Sequence, residues 1–287
     1  MKIICFDVGA TKILKAVVKI RGQKFDFLEM EEQKNPRKEE KIKDILLSYC
    51  NESRKKYKTR KVAISAASIV DSDKKVVSQG KHCYGSDWFD FKSIESAGFS
   101  VRVENDGRCF ALGEYFFGKG NNAKSIFSMT LGTNIGGGFV SKEINFRGAH
   151  NSAMEISFLN FYFEKKWYDW DDFCAGEGIE RLYKKATGQN LSAEEIFWLA
   201  NNRKQEARKV VDTATVVLGI GIANMLNALD PDLVIFGGSV SNQKEYLKKA
   251  VLIAKKNAMN KKANYKFAIS ALGNKANLLG AAALYLR

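Results

Sequence analysis

The sequence contains two short glycine-bearing turns, and each joins a pair of apolar stretches with the length of β-strands. The first covers residues 7–12 (Asp-Val-Gly-Ala-Thr-Lys), and the second covers residues 130–138 (Thr-Leu-Gly-Thr-Asn-Ile-Gly-Gly-Gly). Glycine weakens the interior of a strand, so four glycines and two threonines within nine residues are poorly explained by packing. Because one turn stands near the start of each half of the chain, the pattern predicts two related halves around a cleft, each with a turn that a ligand can approach closely.

Hydrophobic periodicity predicts helices between strands along most of the chain, which favours an α/β fold with mostly buried sheets. We expect a domain boundary at residues 118–122 (Gly-Lys-Gly-Asn-Asn). The expected domains are an N-terminal α/β lobe of residues 1–117 plus 273–287 and a larger C-terminal α/β lobe of residues 118–272. The predicted strands are 2–8, 13–20, 25–30, 61–65, 100–104, 124–131, 135–141, 232–236 and 265–270, with a hairpin or loop at 68–79. The predicted helices are 38–57, 106–117, 171–187, 192–200, 204–229, 240–258 and 275–286, of which 204–229 is expected to be a core helix.

The composition is that of an ordinary globular protein, with 45% hydrophobic and 27% charged residues. No stretch approaches the roughly 18–20 continuous apolar residues of a membrane span, and the N-terminal residues do not resemble a secretory signal. We therefore expect a cytoplasmic protein without a membrane partner. The five cysteines form no Cys-x-x-Cys pair, and two histidines are too few for a multi-histidine metal site.

The net charge of +14, from 46 basic and 32 acidic residues, is high enough to suggest a nucleic-acid partner. Such a protein would bind DNA or RNA tightly and with strong salt dependence. The basic residues, however, are mostly lysines scattered along the chain, which is typical of a solvated surface. We therefore expect no nucleic-acid partner, while a positive field would also attract an anionic substrate such as a nucleotide.

Polar residues in the two turns suggest a phosphate and magnesium site. Asp7 ends a predicted strand and can hold Mg²⁺ through water, because this ion prefers carboxylate and water oxygens. Thr11 adds a hydroxyl group to a turn whose N–H groups can bind an anion. In the second turn, Asn134 is suited to a left-handed backbone. The structural alternatives are a plain hairpin that starts with an aspartate and a flexible hairpin rich in glycine.

Two further strand ends carry candidate residues. Gly237, Gly238 and Ser239 follow a predicted strand and open a predicted helix, whose N-terminus can face a nucleotide. The sequence does not contain the P-loop pattern. Asn105 and Asp106 stand where another strand gives way to a helix. Both are favoured N-cap residues, so simple capping is the alternative to a catalytic role, but strand ends that face a cleft are where α/β proteins bind ligands.

Five segments, in this order, make the chain similar to the ROK family of sugar kinases, within the actin-like ATPase superfamily. The similarity runs from residue 3 to about residue 285, and each motif is modest on its own. The segments are 7–12, 65–71 (Ser-Ala-Ala-Ser-Ile-Val-Asp), 103–106 (Val-Glu-Asn-Asp) followed by 111–114 (Ala-Leu-Gly-Glu), 130–138, and 235–241 (Ile-Phe-Gly-Gly-Ser-Val-Ser).

The resemblance implies a two-lobed actin-like ATPase (ribonuclease H-like) fold with a central cleft and a homodimer. It also implies transfer of the γ-phosphoryl group of ATP to a hydroxyl of a hexose or N-acetylhexosamine, with Mg²⁺ as cofactor. Asp106 matches the family's general base, and Asn105 matches a residue that hydrogen-bonds the sugar. The other residues implied at the sugar are Ser68, Glu155 and Asp171. Those implied at ATP are Asp7, Gly9, Thr11, Lys12, Gly132, Thr133, Asn134, Gly237, Gly238 and Ser239, and Asp7 is the residue implied at the metal.

The sequence departs from the family pattern on the sugar side. Ser157-Phe158 follows Glu155 where the family has Gly-His, and Asp171 stands where the family has a second glutamate. No cysteine-rich zinc loop follows, and Cys174 is solitary. We therefore expect no zinc and altered contacts around the anomeric end of the sugar. The alternative function is a catalytically degraded sugar-binding sensor or regulator of the same fold.

Overall fold

The structure of the protein is a computed structural model that describes residues 1–286, and these residues form two compact units. The first unit contains Met1–Asn122, Gly138–Met154 and the residues from Ala271 onward, and the second contains Ala123–Gly137 and Glu155–Ser270. The lobe boundaries predicted from the sequence stay predictions.

The strands and helices alternate along most of the chain. The strands are β1 (Lys2–Val8), β2 (Lys12–Arg21), β3 (Lys24–Lys34), β4 (Lys61–Ala66), β5 (Ile69–Asp71), β6 (Val76–Ser78), β7 (Trp88–Asp90), β8 (Ser100–Asn105), β9 (Ser125–Leu131), β10 (Ile135–Ser141), β11 (Ile144–Asn145), β12 (Asn160–Phe163), β13 (Lys166–Asp169), β14 (Leu233–Gly237) and β15 (Lys266–Ile269). The α-helices are α1 (Glu39–Tyr57), α2 (Lys81–Tyr84), α3 (Lys92–Ser96), α4 (Asp106–Phe117), α5 (Asp171–Cys174), α6 (Gly176–Thr187), α7 (Ala193–Asn201), α8 (Gln205–Leu229), α9 (Lys244–Asn257) and α10 (Lys275–Ala283). Short 3-10 helices cover Ile156–Phe158, Ser239–Asn242 and Leu284–Leu286.

The first unit is built on a five-stranded sheet with the order β3-β2-β1-β4-β8. β1 pairs antiparallel with β2 and parallel with β4, and β4 pairs parallel with β8. The register aligns Val8 with Ala66, and Ala66 with Asn105. Because the carboxyl ends of parallel strands meet at one edge of a sheet, the residues at the ends of β1, β4 and β8 lie together at that edge.

Strand β1 is buried on both faces, which explains why its sequence reads as an almost continuous apolar run. Successive side chains of a strand point to opposite faces. Phe6 accordingly packs in a core cluster with Leu46 of α1, whereas Cys5 packs in another cluster with Leu278 of α10. The sheet is therefore covered by helices on both faces, as expected for an α/β protein.

Helices α4 and α10 pack with their backbones in close contact because each has a glycine there. A Cβ atom on Gly113 would lie 2.1 Å from the carbonyl oxygen of Ala276, and a Cβ atom on Gly280 would lie 1.7 Å from that of Cys109. Neither position admits a larger residue without a shift of the backbone. The C-terminal helix is thus fixed directly against the helix that begins at Asp106.

The second unit contains most of a five-stranded sheet with the order β11-β10-β9-β14-β15, in which β9, β14 and β15 run parallel. Helix α8 is long and apolar enough to cross a membrane by length and composition, but 61% of its most apolar window is buried inside the structure. This burial confirms the prediction of a core helix. Of the side chains predicted as core, Val211 and Met225 are only half-buried. The buried ones are Val210, Val217, Leu218, Ile222 and Leu226.

The helix predicted at 171–187 is divided into α5 and α6. Ala175 is extended between them, with a ψ of 178°. The N–H group of Gly176 donates to the carbonyl oxygen of Gly132 at 2.9 Å, so the chain leaves the helical path to contact the second glycine turn. The prediction of one continuous helix was therefore wrong at Ala175.

The helix predicted to begin at residue 240 begins as α9 at Lys244. A 3-10 turn precedes it, because both the N–H and the hydroxyl group of Ser241 donate to the carbonyl oxygen of Gly238. The predicted hairpin at 68–79 is present as β5 and β6. The hairpin of β12 and β13 was not predicted, since its short aromatic strands show no clear alternation of polar and apolar residues.

Candidate active site

The first glycine turn is held in place by side chains that follow β3. Within the turn, the Gly9 N–H group donates to the Lys12 carbonyl oxygen at 3.0 Å. Asn35 Nδ2 donates to the Gly9 carbonyl oxygen at 2.6 Å, and Arg37 Nε donates to that of Ala10 at 2.8 Å. The sequence reasoning missed Asn35 and Arg37, although an Asn-Pro pair directly after a strand is itself a turn signal.

Space remains beside the glycine of each turn, Gly9 in the first and Gly132 in the second. A Cβ atom on Gly9 would meet only the Lys12 carbonyl oxygen, at 3.5 Å, and a Cβ atom on Gly132 would meet only the Asn134 carbonyl oxygen, at 3.9 Å. Neither glycine has the positive φ that would require its presence. Packing within the protein therefore does not explain why glycine stands at these two positions. Each turn, taken by itself, leaves room for a ligand group beside its glycine.

Asp7 lies at the end of β1 with its carboxylate tied to two other elements. Ser65 Oγ donates to Asp7 Oδ1 at 2.6 Å, and Asn277 Nδ2 donates to the same oxygen at 3.2 Å. Burial raises the pKa of Asp7, while these hydrogen bonds and the charge of Lys12 oppose the rise. Sequence reasoning did not identify Asn277, which lies near the other end of the chain.

The single carboxylate of Asp7 fits a magnesium ion better than a metal that is enclosed by protein ligands. Within residues 1–286, no group of three or more histidine, cysteine, aspartate or glutamate side chains is arranged to hold a metal. An ion at Asp7 would therefore take its other ligands from water and phosphate, as Mg²⁺ commonly does. The predicted absence of zinc stays a prediction.

Asn105 and Asp106 form the junction between β8 and α4. Asn105 Oδ1 accepts from the Arg108 N–H group at 3.1 Å, so the N-cap alternative is correct for this residue. Asn105 Nδ2 donates to the Ser68 carbonyl oxygen at 3.0 Å and to Asp106 Oδ1 at 3.1 Å. Asp106 Oδ1 also accepts from the Gly107 N–H group at 2.9 Å, and the Asp106 side chain is half-buried. Capping and a site role are compatible here, because these bonds orient the Asp106 carboxylate at the sheet edge.

A buried ionic cluster centred on Glu104 contacts this junction. Glu104 is 0% exposed, and its Oε1 accepts from the Asn105 N–H group at 2.8 Å and from Arg108 Nε at 2.7 Å. Its Oε2 accepts from Arg147 Nε at 2.6 Å and from Asn145 Nδ2 at 2.9 Å. Burial alone would raise the pKa of Glu104, but the two guanidinium groups hold it below the ordinary value. Sequence reasoning missed this cluster because three of its members come from outside the motif.

The second glycine turn contacts the segment that contains α5 and the start of α6. The Ile135 N–H group donates to Asp171 Oδ1 at 2.6 Å. The Asn134 amide, oriented by its hydrogen-bond partners, donates to Asp171 Oδ2 at 3.1 Å. The Glu177 N–H group donates to the Thr133 carbonyl oxygen at 3.1 Å. Asn134 would suit a left-handed backbone but does not have a positive φ, and its distinctive contact is made by its side chain.

The third glycine cluster lies directly beside the second turn. Gly238 has a φ of +83°, and a Cβ atom there would lie 2.3 Å from the carbonyl oxygen of Leu131. Glycine is therefore required at this position. Ser239 begins a 3-10 helix rather than an α-helix, so the expected helix N-terminus does not follow Gly237 and Gly238 directly. A cavity of about 340 Å³ in the same unit is lined by residues of α7, α8, this 3-10 helix and α9.

Two further sugar-side candidates, Glu155 and Asp171, lie in the second unit. Glu155 is half-buried and directly precedes the 3-10 helix Ile156–Phe158. The Phe158 N–H group donates to the Glu155 carbonyl oxygen at 3.3 Å, and the Phe158 side chain is 67% exposed. Asp171, predicted at the sugar, has both carboxylate oxygens on the glycine turn, and its sugar contact stays a prediction.

The ROK family profile matches residues 3–287. The chain belongs to the ROK family. This match confirms the resemblance carried by the five motifs, and the predicted fold class, the two-lobed actin-like ATPase fold, is confirmed as well.

Individual relatives are sugar kinases by name. The N-acetyl-D-glucosamine kinase of Histophilus somni (strain 129Pt) is 31% identical over 210 residues, which cover 67% of this chain and 68% of that protein. The glucokinase of Halalkalibacterium halodurans is 30% identical over 226 residues, which cover 69% of this chain and 68% of that protein. The matches to three further N-acetyl-D-glucosamine kinases, from Haemophilus influenzae, Photobacterium profundum and Vibrio atlanticus, span only 53% to 56% of those proteins.

A solved structure gives the corresponding likeness in fold. The ROK hexokinase from Thermus thermophilus superposes with a TM-score of 0.88 at 24% sequence identity, over 100% of this chain and 98% of that one. At this level of identity, the superposition shows that the two proteins share a fold and nothing more.

Proposed function

We propose that this ROK protein is an ATP-dependent kinase that phosphorylates a hydroxyl group of a hexose or N-acetylhexosamine. The observation that carries the proposal is the sheet edge of the first unit, where the parallel strands β1, β4 and β8 end in register. This edge presents Asp7 and the Asn105–Asp106 junction together. The names of the N-acetyl-D-glucosamine kinase and glucokinase relatives support the substrate class.

Asp106 is the proposed general base. Its half-buried carboxylate is oriented by Asn105 and Gly107 through one oxygen, Oδ1, and would accept the proton of the attacking sugar hydroxyl. Asn105 uses its amide nitrogen within the protein, but its Oδ1 has a second lone pair that can accept from a sugar hydroxyl. Ser68 and Glu155 complete the proposed sugar contacts.

Each unit contains proposed ATP-binding residues. In the first unit, Asp7, Gly9, Thr11 and Lys12 would bind phosphate and magnesium. When bound, Mg²⁺ neutralises charge that develops on the phosphoryl oxygens. In the second unit, Gly132, Thr133 and Asn134 would bind phosphate, and Gly237, Gly238 and Ser239 would lie near the nucleoside. The lack of internal crowding at Gly9 and Gly132 supports these assignments.

The proposal includes small-molecule sugar and nucleotide substrates, a homodimer and a cytoplasmic location, and it includes no nucleic-acid or membrane partner. The family resemblance supports the dimer, and the scattered lysines argue against a nucleic-acid site.

A panel of hexoses and N-acetylhexosamines, assayed for sugar-dependent ADP release, tests the proposed reaction. We expect turnover with at least one sugar and a loss of about 10²- to 10⁴-fold in Asp106→Asn, with ATP binding retained. Substantial turnover in that variant would exclude Asp106 as the base.

The second candidate is a sugar-binding sensor that has lost catalysis. The observation that favours it is Phe158, which is exposed where the family pattern has a histidine. Sugar binding by calorimetry without ADP release from any sugar in the panel would favour the sensor over the kinase.

A further inference from the structure

We propose that Asp171 is a positioning residue that braces the second glycine turn, in place of the sugar contact that its sequence position implies. Hydrogen bonds within the second unit form the brace. Its effect on nucleotide binding rests on the proposed kinase function.

Both oxygens of the Asp171 carboxylate are committed to the turn. Oδ1 accepts from the backbone N–H group of Ile135 at 2.6 Å, a length typical of a strong bond to a charged acceptor. Oδ2 accepts from the side-chain amide of Asn134 at 3.1 Å, and the same amide donates to the Thr133 carbonyl oxygen at 3.0 Å. One carboxylate therefore fixes two successive residues of the turn.

Backbone N–H groups that follow Asp171 in the sequence bind carbonyl oxygens of the same turn. The N–H groups of Gly176 and Glu177 donate to the carbonyl oxygens of Gly132 and Thr133 at 2.9 and 3.1 Å. The segment 171–177 thus accepts from the turn through a side chain and donates to it through the backbone. Because none of these bonds uses the Thr133 hydroxyl group, the brace leaves that group available to a phosphate.

This contact links Asp171, which departs from the family pattern, to Asn134 of the turn. Aspartate is one methylene shorter than the glutamate found at the corresponding place in the family pattern, and it lies within hydrogen-bond distance of Ile135 and Asn134. Asn134 supplies an amide donor on the turn although its backbone does not need a left-handed residue. The two residues work as a pair, since each provides the partner for the other.

The pKa of Asp171 is raised but stays below 7, so its carboxyl group is ionised at neutral pH. Burial raises its pKa to about 6, while the Ile135 N–H group and Arg181 lower the pKa and the nearby Asp172 and Glu177 raise it. Arg181 itself forms ion pairs with both of these acidic residues, at 3.1 and 3.3 Å. Above pH 7 the carboxylate can therefore accept both bonds from the turn.

Two substitutions separate a brace from a sugar contact. Asp171→Ala removes both acceptors, so we expect the KM for ATP and the Kd for Mg-ADP measured by calorimetry to rise about tenfold or more, with the sugar KM nearly unchanged. Asp171→Asn keeps one carbonyl acceptor for Ile135, and the Asn134 amide can rotate to accept from the new amide. We expect this conservative variant to recover most of the affinity for nucleotide.

Asp172→Asn is the matched control, because it removes a neighbouring carboxylate that pairs with Arg181 and does not contact the turn. It should leave the affinity for Mg-ADP unchanged. A rise confined to the sugar KM in Asp171→Ala, or equal losses in Asp171→Ala and Asp172→Asn, would overturn the brace.

Hydrogen exchange tests the brace without relying on kinase activity. We expect the Ile135 amide to exchange at least tenfold faster in Asp171→Ala than in the wild type, and unchanged protection of that amide would overturn the proposal. Wild-type protein that binds no Mg-ADP and phosphorylates no sugar would refute the kinase function, whereas faster exchange of the Ile135 amide would still establish the brace.

Discussion

Asn277 Nδ2 donates a hydrogen bond of 3.2 Å to Asp7 Oδ1, which joins residues 270 positions apart in the sequence. Ser65 Oγ donates to the same oxygen at 2.6 Å. In Asn277→Ala the carboxylate keeps only the Ser65 bond of this pair and is less firmly oriented. We expect the Mg²⁺ concentration that gives half-maximal sugar phosphorylation to rise about fivefold, because a net hydrogen bond is worth about 1 kcal/mol.

The matched control for this prediction is Asn257→Ala. Asn257 Nδ2 donates to the Ile253 carbonyl oxygen within its own helix, α9, and lies on the surface. The Mg²⁺ dependence of this control should match that of the wild type. Identical Mg²⁺ dependence in Asn277→Ala and the wild type would show that Asn277 does not act on the metal site.

Replacement of Glu104 should destabilise the first unit strongly. Glu104→Gln leaves Arg108, which is fully buried, and Arg147 without their charged partner. Breaking a buried ion pair from one side typically costs about 3–5 kcal/mol. We expect a decrease of this size in the free energy of unfolding measured in urea at pH 7.

The control for Glu104→Gln is Glu177→Gln, which removes one partner of an exposed i,i+4 pair with Arg181. Its effect should stay within about 0.5 kcal/mol. The pKa of Glu104 is lowered in the folded protein, so its charge contributes stability that is present above the unfolded pKa and is lost as the pH falls through the folded one. The cost of Glu104→Gln should therefore shrink below pH 4, and a cost independent of pH would contradict this account.

The sequence predicts the candidate residues at the sheet edge of the first unit because the signals for them are local. Asp7 and Asp106 stand at the ends of apolar runs, and a strand can be recognised from its own residues. The motif order then places the chain in its family without any knowledge of contacts. The same reasoning finds the glycines of both turns.

The residues that orient these groups were not predictable, because they come from distant parts of the chain. Asn277 donates to Asp7 from α10, a helix that packs closely on α4 through glycines and contacts β1. Arg147 reaches Glu104 from a segment that carries no recognised motif. Asp171 was assigned to the sugar by its place in the sequence, whereas its contacts depend on the break at Ala175 and on the side chain of Asn134.

Asp171 should make stability depend on pH near 6. Burial raises its pKa from 3.8 to about 6, so the folded state binds a proton more tightly than the unfolded chain does. Its contribution to stability is fully present below pH 4 and is lost as the pH rises through about 6. In urea unfolding, Asp171→Asn should therefore be less destabilising relative to the wild type at pH 8 than at pH 4.5.

The comparison for the pH experiment is again Asp172→Asn. Its effect on the free energy of unfolding should change much less between pH 4.5 and pH 8. A difference between wild type and Asp171→Asn that does not vary with pH would show that burial does not disfavour the ionised form of this carboxyl.

Replacement of Phe158 should raise the KM for the sugar and leave the free energy of unfolding nearly unchanged. Its ring is 67% exposed, so Phe158→Ala should alter the free energy of unfolding by no more than about 0.5 kcal/mol. If the bound sugar covers this ring, the sugar KM should rise about tenfold, because burial of a phenylalanine side chain is worth about 1.5–3 kcal/mol. The KM for ATP should stay constant. Trp198→Ala, which removes an aromatic ring that is 63% exposed on α7, should change neither KM, and equal changes in both variants would remove Phe158 from the sugar site.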